Sequence, residues 1–317
     1  MARASKTALD LHRATNDGCQ QCSNREKRKE FSEDDLCKIP SIDDGEAVRC
    51  VGDWAEHKIY RLVQYFQIFV IGMHKRWNGL NYVEICSGPG RCIVRDNAEE
   101  IDGTALVILN HPRRDFLAKA LFIDLNEKVV NALNTRIAKL SLQAKAEAVI
   151  GNYKNPDAIA SLLKGLPSNN LNLVFIDPTQ CDVPFETVKK IVEVTQNVDL
   201  IINVSIGTDI SRNLRQAVVD PAFLNVRRKY EQFLGDDRFF EREDVKAAAQ
   251  LGNIERLRSI FSEAYSAQLD ALGFAHRDTR EVLHYYYLLF ASRSAKGLEF
   301  WQKACTYAPD GQKELNF

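Results

Sequence analysis

Glu84, Gly88 and Gly90 stand as E-x-x-x-G-x-G inside the run NYVEICSGPGR, residues 81–91. Tyr82, Val83 and Ile85 read as a strand. Ser87-Gly88-Pro89-Gly90 then breaks it into a bend. Glycine reaches backbone torsions closed to other residues and lets the main chain approach a ligand. At the carboxyl edge of an open α/β sheet, such a bend is where a nucleotide-like cofactor sits. The third glycine of the dinucleotide fingerprint is missing, which disfavours NAD. A nucleoside cofactor without a pyrophosphate, such as S-adenosylmethionine, fits better. A glycine turn after a strand is also often only a turn, so the weight falls on the acids further along the chain.

Two further acids close apolar runs. Asp124 ends Ala120-Leu-Phe-Ile-Asp124, where an acid takes ribose hydroxyls in nucleotide-binding α/β folds. The gap from Gly90 to Asp124 is 34 residues, against about 20 in the usual fingerprint. An insertion around 96–115 accounts for the excess. Asp177 ends Leu171-Asn-Leu-Val-Phe-Ile-Asp177, a continuous apolar run expected of a strand buried on both faces. Pro178 comes next and stiffens the turn, aiming the acid into the site. Between them, Ala146–Ile150 runs into Gly151-Asn152, where Asn152 either bonds an adenine edge or makes an ordinary turn. Two lone acids on separate strands also permit a metal-dependent nuclease, without a motif to support one.

The elements that must hold these residues are read from periodicity. Helical spacing of Ile59, Leu62, Val63, Phe66, Phe69, Val70 and Met73 predicts a long helix before the glycine strand. Thr104–Leu109 reads as the first crossover helix and Glu127–Leu140 as the second. Residues 185–195 form another helix, succeeded by a strand over 199–205. Residues 207–271 are helical and charge-mixed, a lid or substrate-binding insertion, or a plain solvated bundle. Leu272-Gly-Phe274 and Val282–Ser292 predict a closing antiparallel hairpin. From Lys296 onward the chain reads as exposed or partner-binding. The expected architecture is α/β and Rossmann-like: a mostly parallel sheet with a closing antiparallel hairpin, built from residues 53–206 and 272–302, with a tail at 303–317.

The chain has 317 residues, 45% hydrophobic and 27% charged, enough to bury a sizeable core. Its formal net charge of −1 gives no global case for nucleic-acid binding, although local basic patches keep that partner open. No apolar run reaches the ~20 residues of a membrane span. No signal-peptide core is evident, so a cytoplasmic location and reduced thiols are expected. Residues 1–52 differ from the rest: few apolar residues, blocks of charge, and Cys19, Cys22, Cys37 and Cys50. Cys19-x-x-Cys22 has the spacing with which two thiolates grip Zn²⁺, and Cys37 and Cys50 complete a Cys₄ set. A structural zinc would order a segment too polar to order itself by burial; a disordered tail with incidental thiols is the alternative. The basic run Arg25–Lys29 reads as a solvated face.

The order of strand-bend, strand-Asp, strand-Gly-Asn, strand-Asp-Pro, strand, helical insert and Leu-Gly-Phe hairpin resembles a class I S-adenosylmethionine-dependent methyltransferase. More narrowly, it is similar to the three-Cys-motif partner proteins. That likeness rests on Trp54 with His57-Lys58, YVEICSGPGR (82–91), FIDPTQ (175–180), LIINVS (200–205) with Arg212-Asn213, and YYYLLFASRSAKGLEFW (285–301). It covers about residues 53–302. It implies that Glu84, Ser87, Gly88 and Gly90 hold the methionine end, Asp124 the ribose, Asn152 the adenine, and Asp177-Pro178 the face where the acceptor lies. Asp177 would orient the nucleophile or take its proton. The resemblance also implies a radical-enzyme-like three-Cys protein as a partner, and a non-catalytic binding module as the alternative to an enzyme. Two departures stand out. Glu84 occupies a usual Asp position, and Thr179-Gln180 replace the aromatic that would stack on a flipped base.

Overall fold

In the computed structural model, residues 32–33, 36–95, 98–309, 311 and 313 are described. The described residues open with three short strands, β1 (Ser32–Glu33), β2 (Leu36–Cys37) and β3 (Arg49–Val51), and then helix α1 (Trp54–Met73). The glycine strand is β4 (Leu80–Ile85). After the bend comes a hairpin, β5 (Arg91–Val94) and β6 (Glu100–Asp102), then α2 (Thr104–Leu109), β7 (Leu117–Asp124), α3 (Glu127–Lys139) and β8 (Ala146–Ile150). Next are α4 (Pro156–Leu163), β9 (Leu171–Ile176), α5 (Phe185–Thr195) and β10 (Val198–Val204). Helices α6 (Ser211–Val219), α7 (Leu224–Leu234), α8 (Glu243–Gln250) and α9 (Ile254–Ala271) form the insert. The last named elements of the described residues are β11 (His276–Val282), β12 (Tyr286–Ser292) and α10 (Ala295–Ala304).

The main sheet has seven strands in the order β8-β7-β4-β9-β10-β12-β11. The first five are mutually parallel, and β12 alone runs against its neighbours. This is a doubly wound, Rossmann-like sheet with its order reversing at β4, so β4 and β9 flank the switch point where ligands bind. Every residue of β4, β9 and β10 is buried, because helices cover both faces. On one face Ile85, Val174, Ile176 and Ile202 pack under α5 and the insert. On the other, Tyr82, Phe122, Leu173 and Phe175 meet α1, α2, α3 and α10.

The structure refines three sequence readings. The extra length between Gly90 and Asp124 is the β5–β6 hairpin at 91–102, earlier than the expected 96–115. That hairpin extends the N-terminal strands into a second, five-stranded sheet, with β3 parallel to β5. The helical insert shares the sheet's own core: Tyr265 meets Phe185 of α5 edge-on at 5.4 Å, and Phe233 stacks on Tyr265 at 4.7 Å. The segment from Lys296 is not exposed but begins inside α10. Trp301 is fully buried, stacked on Phe290 at 5.2 Å and edge-on to Tyr65 at 5.7 Å. Phe300, Trp301 and Ala304 fall on one helical face, a periodicity hidden by the flanking lysines.

Candidate active site at the strand tips

The bend after β4 is held from both sides. Cys86 and Ser87 both donate their N–H groups to the carbonyl of Ile123 on β7, at 2.8 and 3.2 Å. Gly88 has φ +66° and Gly90 φ +92°, a region open to glycine at little cost. Gly88 donates its N–H to Asp124 Oδ2 at 3.0 Å. The bend and the second acid are therefore one unit. A side chain on Gly88 would project toward Arg49, whose guanidinium lies 3.7 Å from that position. Cys86 is the non-glycine exception, at φ +65°; such strain collects where a backbone must serve a site.

The N-terminal segment clamps the same bend. Arg136 of α3, nearly inaccessible, holds Asp44 with two bonds of 2.8 and 2.9 Å and also donates to the carbonyls of Ala47 and Pro89. Burial alone would raise the Asp44 carboxyl. The Arg136 guanidinium and the Glu46 N–H outweigh it and hold the group down at about 2.

Glu84 lies one layer behind the cavity wall. It is fully buried, accepting from Tyr82 Oη at 2.8 Å and from Thr104 Oγ1. Burial, reinforced by Asp177, pushes its carboxyl up to about 8 against those two bonds. Thr104 lines the cavity in its place.

Asp177 hangs from the tip of β9, its N–H bonded to the Ile85 carbonyl at 3.0 Å. Both its oxygens are engaged: Lys58 Nζ donates to them at 2.8 and 2.6 Å, and Asn203 Nδ2 donates to Oδ1 at 2.8 Å. Burial works against the Lys58 charge, but Asp177 beside it raises the lysine above its usual value. Lys58 also faces the ring of Tyr286 at 5.8 Å. Helix α1 thus supplies a cation, and β10 an amide, to an acid on β9.

These groups surround a cavity of about 640 Å³ reaching from Gly88 to Asp177, Lys58 and Asn203, with Arg95 and Arg212 among its walls. A second hollow of about 410 Å³ holds Asp124, Leu125, Asn126 and Tyr153, and shares Arg49, Cys86, Pro178 and Thr179 with the first. Together they are of the size that takes a small cofactor and part of a substrate. Asp124 accepts one N–H at each oxygen, from Gly88 and from Asn126 at 3.1 Å. A carboxylate offers about four acceptor positions, so two hydroxyls can still be bound. Exposed Leu125 gives the same hollow an apolar wall. An adenosyl group fits these donors, acceptors and surfaces.

Ser87, Gly88, Gly90, Asp177 and Pro178 all line the first cavity, and Asp124 and Pro178 the second. Asn152 lies on neither wall. It is exposed, and its side-chain oxygen caps its own turn by accepting the Lys154 N–H at 2.9 Å. Its neighbour Tyr153 faces the hollow instead. Residue-by-residue reading missed Arg49, Thr104, Tyr153 and Asn203; Asn203 sits inside the LIINVS run but carries no signal of its own there, and each of the four reaches the site through tertiary pairing. Cys19 and Cys22 lie outside the described residues. Cys37 packs with Ile39, Val48 and Ile93, and Cys50 lines the first cavity. Among the described residues no group of three or more His, Cys, Asp or Glu is placed to hold a metal ion. Nor is any described helix long and apolar enough to cross a membrane.

No family model matches the sequence, and no curated protein does. Solved structures similar to this chain include an O-methyltransferase family protein from Burkholderia thailandensis, 16% identical, with a TM-score of 0.37, over 74% of this chain and 57% of that one. The chain therefore spans little more than half of that protein. The O-methyltransferase from Bacillus cereus, solved with SAH, is 12% identical with a TM-score of 0.38, over 72% of this chain and 79% of that one. An O-methyltransferase of tomaymycin synthesis from Streptomyces achromogenes, solved with SAM, is 13% identical with a TM-score of 0.40, over 92% of each. The fold assignment rests on strand order and direction.

Proposed function

We propose that the protein is an S-adenosylmethionine-dependent methyltransferase. The observation that carries this reading is the Gly88–Asp124 hydrogen bond, with Asp177 at the neighbouring strand tip, all around the same pair of hollows. S-adenosylmethionine supplies an electrophilic methyl on a sulfonium, so the protein's task is alignment more than acid–base catalysis. Asp124 would take the ribose hydroxyls, Leu125 and Tyr153 would flank the adenine, and the Ser87–Gly90 bend would carry the methionine end. Lys58 and Asn203 fix Asp177 beside the place where an acceptor enters. Calorimetry and thermal shift with S-adenosylmethionine and SAH test the reading. Neither heat nor stabilisation at millimolar ligand would end it.

The narrower likeness to three-Cys-motif partner proteins is part of the same proposal. Its support is that Trp54, Lys58, Asp177, Arg212, Asn213 and Tyr286, scattered over the motifs of that likeness, line one cavity. The proposal extends to a radical-enzyme-like three-Cys protein as partner and to a structural zinc on the N-terminal cysteines, for which the Cys19-x-x-Cys22 spacing speaks. A second reading, a methyltransferase-like binding module, draws on the Asp177 lock: both its oxygens are already bonded to Lys58 and Asn203, which leaves less room to bond an acceptor. Cofactor binding without methyl transfer to any nucleic acid or protein would favour it.

A further inference from the structure

The walls of the larger cavity carry an excess of positive charge that the cofactor would not neutralise. Among the described residues that line it, Asp177 is the only acid, and it is committed to Lys58 and Asn203. Arg95 and Arg212 come from separate elements, the turn just after β5 and the first turn of α6. Among the described residues neither guanidinium has a carboxylate partner; Arg95 instead lies over the Trp54 ring at 5.0 Å. S-adenosylmethionine itself carries one net positive charge: sulfonium and ammonium against one carboxylate. Loading it makes the cavity more positive. Guanidiniums in a confined site call for a counter-charge, and their planar forks match phosphate or carboxylate oxygens. In a chain whose net charge is −1, this local field belongs to the cleft and is not a general property of the chain.

We infer that the acceptor carries a phosphate, held by Arg95 and Arg212 on the walls of the cavity. Two guanidiniums plus the cofactor's charge are matched better by a phosphate than by a single carboxylate. Trp54, which lines the cavity, meets Tyr285 at 4.4 Å in a tilted ring contact, and the exposed Tyr285 ring offers a surface to a base attached to that phosphate. The acceptor class is therefore a nucleotide unit, either free or within a strand. This inference rests on the methyltransferase reading for the word acceptor, but the anion site stands or falls by itself.

The test is calorimetry on the full chain, with and without saturating SAH, using uridine 5′-monophosphate, a six-residue oligouridylate and citrate. The wild type is compared with Arg95→Gln and Arg212→Gln, each first shown to melt within a few degrees of wild type. The expected result is uridylate or oligomer binding to the SAH-loaded protein that weakens at least tenfold in either variant, with SAH affinity unchanged within about threefold. Monophosphate binding as tight as the oligomer's identifies a free nucleotide; an oligomer at least tenfold tighter identifies a strand. Three results overturn the inference: neither phosphate compound binding, citrate binding equally well, or both substitutions weakening SAH tenfold while leaving phosphate affinity untouched. If SAH fails to bind but the phosphate compounds bind the cofactor-free protein with the same arginine dependence, the methyltransferase reading fails and the anion site survives.

Discussion

Glu84 gives the sharpest test of the electrostatics behind the site. The usual glutamate value is near 4.5, and in the folded protein the group is pushed up to about 8. Between these values the folded state holds a proton that the unfolded state has released. Stability must therefore fall as pH rises through that window, by about 1.4 kcal/mol per pH unit and about 5 kcal/mol in all. The perturbation is Glu84→Gln, which keeps the shape and cannot ionise. Tyr82 and Thr104 can each donate or accept through a hydroxyl, so the amide keeps both partners. Urea unfolding at pH 5, 6, 7 and 8 is the assay. The variant should match wild type within about 1 kcal/mol at pH 5 and exceed it by about 3 kcal/mol at pH 8. Parallel pH profiles, with a difference changing by less than about 0.5 kcal/mol, would refute the buried neutral carboxyl. Because Thr104 stands between Glu84 and the cavity, SAH affinity should change only a few-fold. A hundredfold loss would place the carboxyl in contact with the ligand.

The same geometry sets three more expectations. Asp44, held at about 2 against a usual 3.8, contributes about 1–2 kcal/mol once solvent screening is allowed for. That stability is present above the unfolded value and lost as pH falls through about 2. Acid unfolding of Asp44→Asn should accordingly approach that of wild type below about pH 2, and a constant gap there would contradict the Arg136 pairing. Gly88→Val puts a branched side chain at φ +66° and into the space before Arg49. It should cost about 1–2 kcal/mol in stability and weaken SAH more than tenfold by calorimetry; undiminished SAH affinity would move the cofactor off the bend. Trp301→Ala should cost about 3–5 kcal/mol in urea, since the ring is fully buried between Phe290 and Tyr65. A loss below about 1 kcal/mol would mean that the C-terminal helix is not docked.

Much of the frame is legible along the chain. The apolar run around Glu84 and those closed by Asp124 and Asp177 are strands because no half-exposed face interrupts them, and their glycine or proline punctuation marks where they stop. The period of apolar residues and the turn chemistry that ends each run are local matters, so sequence order reports them. The hairpin of residues 91–102 was harder, because its short strands gain their meaning only by pairing with β3 from the N-terminal segment. The last helix was hidden for a related reason: Trp301 declares itself only when Phe290 and Tyr65 are seen beneath it.

Residue types and spacing alone determined that several acidic strand tips would meet at a glycine bend on one edge of a parallel sheet. The tertiary structure decided which of those acids face the cavity. Glu84 was turned inward behind Thr104, Asp177 was bound to a lysine 119 positions earlier, and Asn152 caps its own turn while Tyr153 lines the hollow. Side-chain direction and charge partners depend on atoms brought together from distant parts of the chain, and no local pattern carries that information.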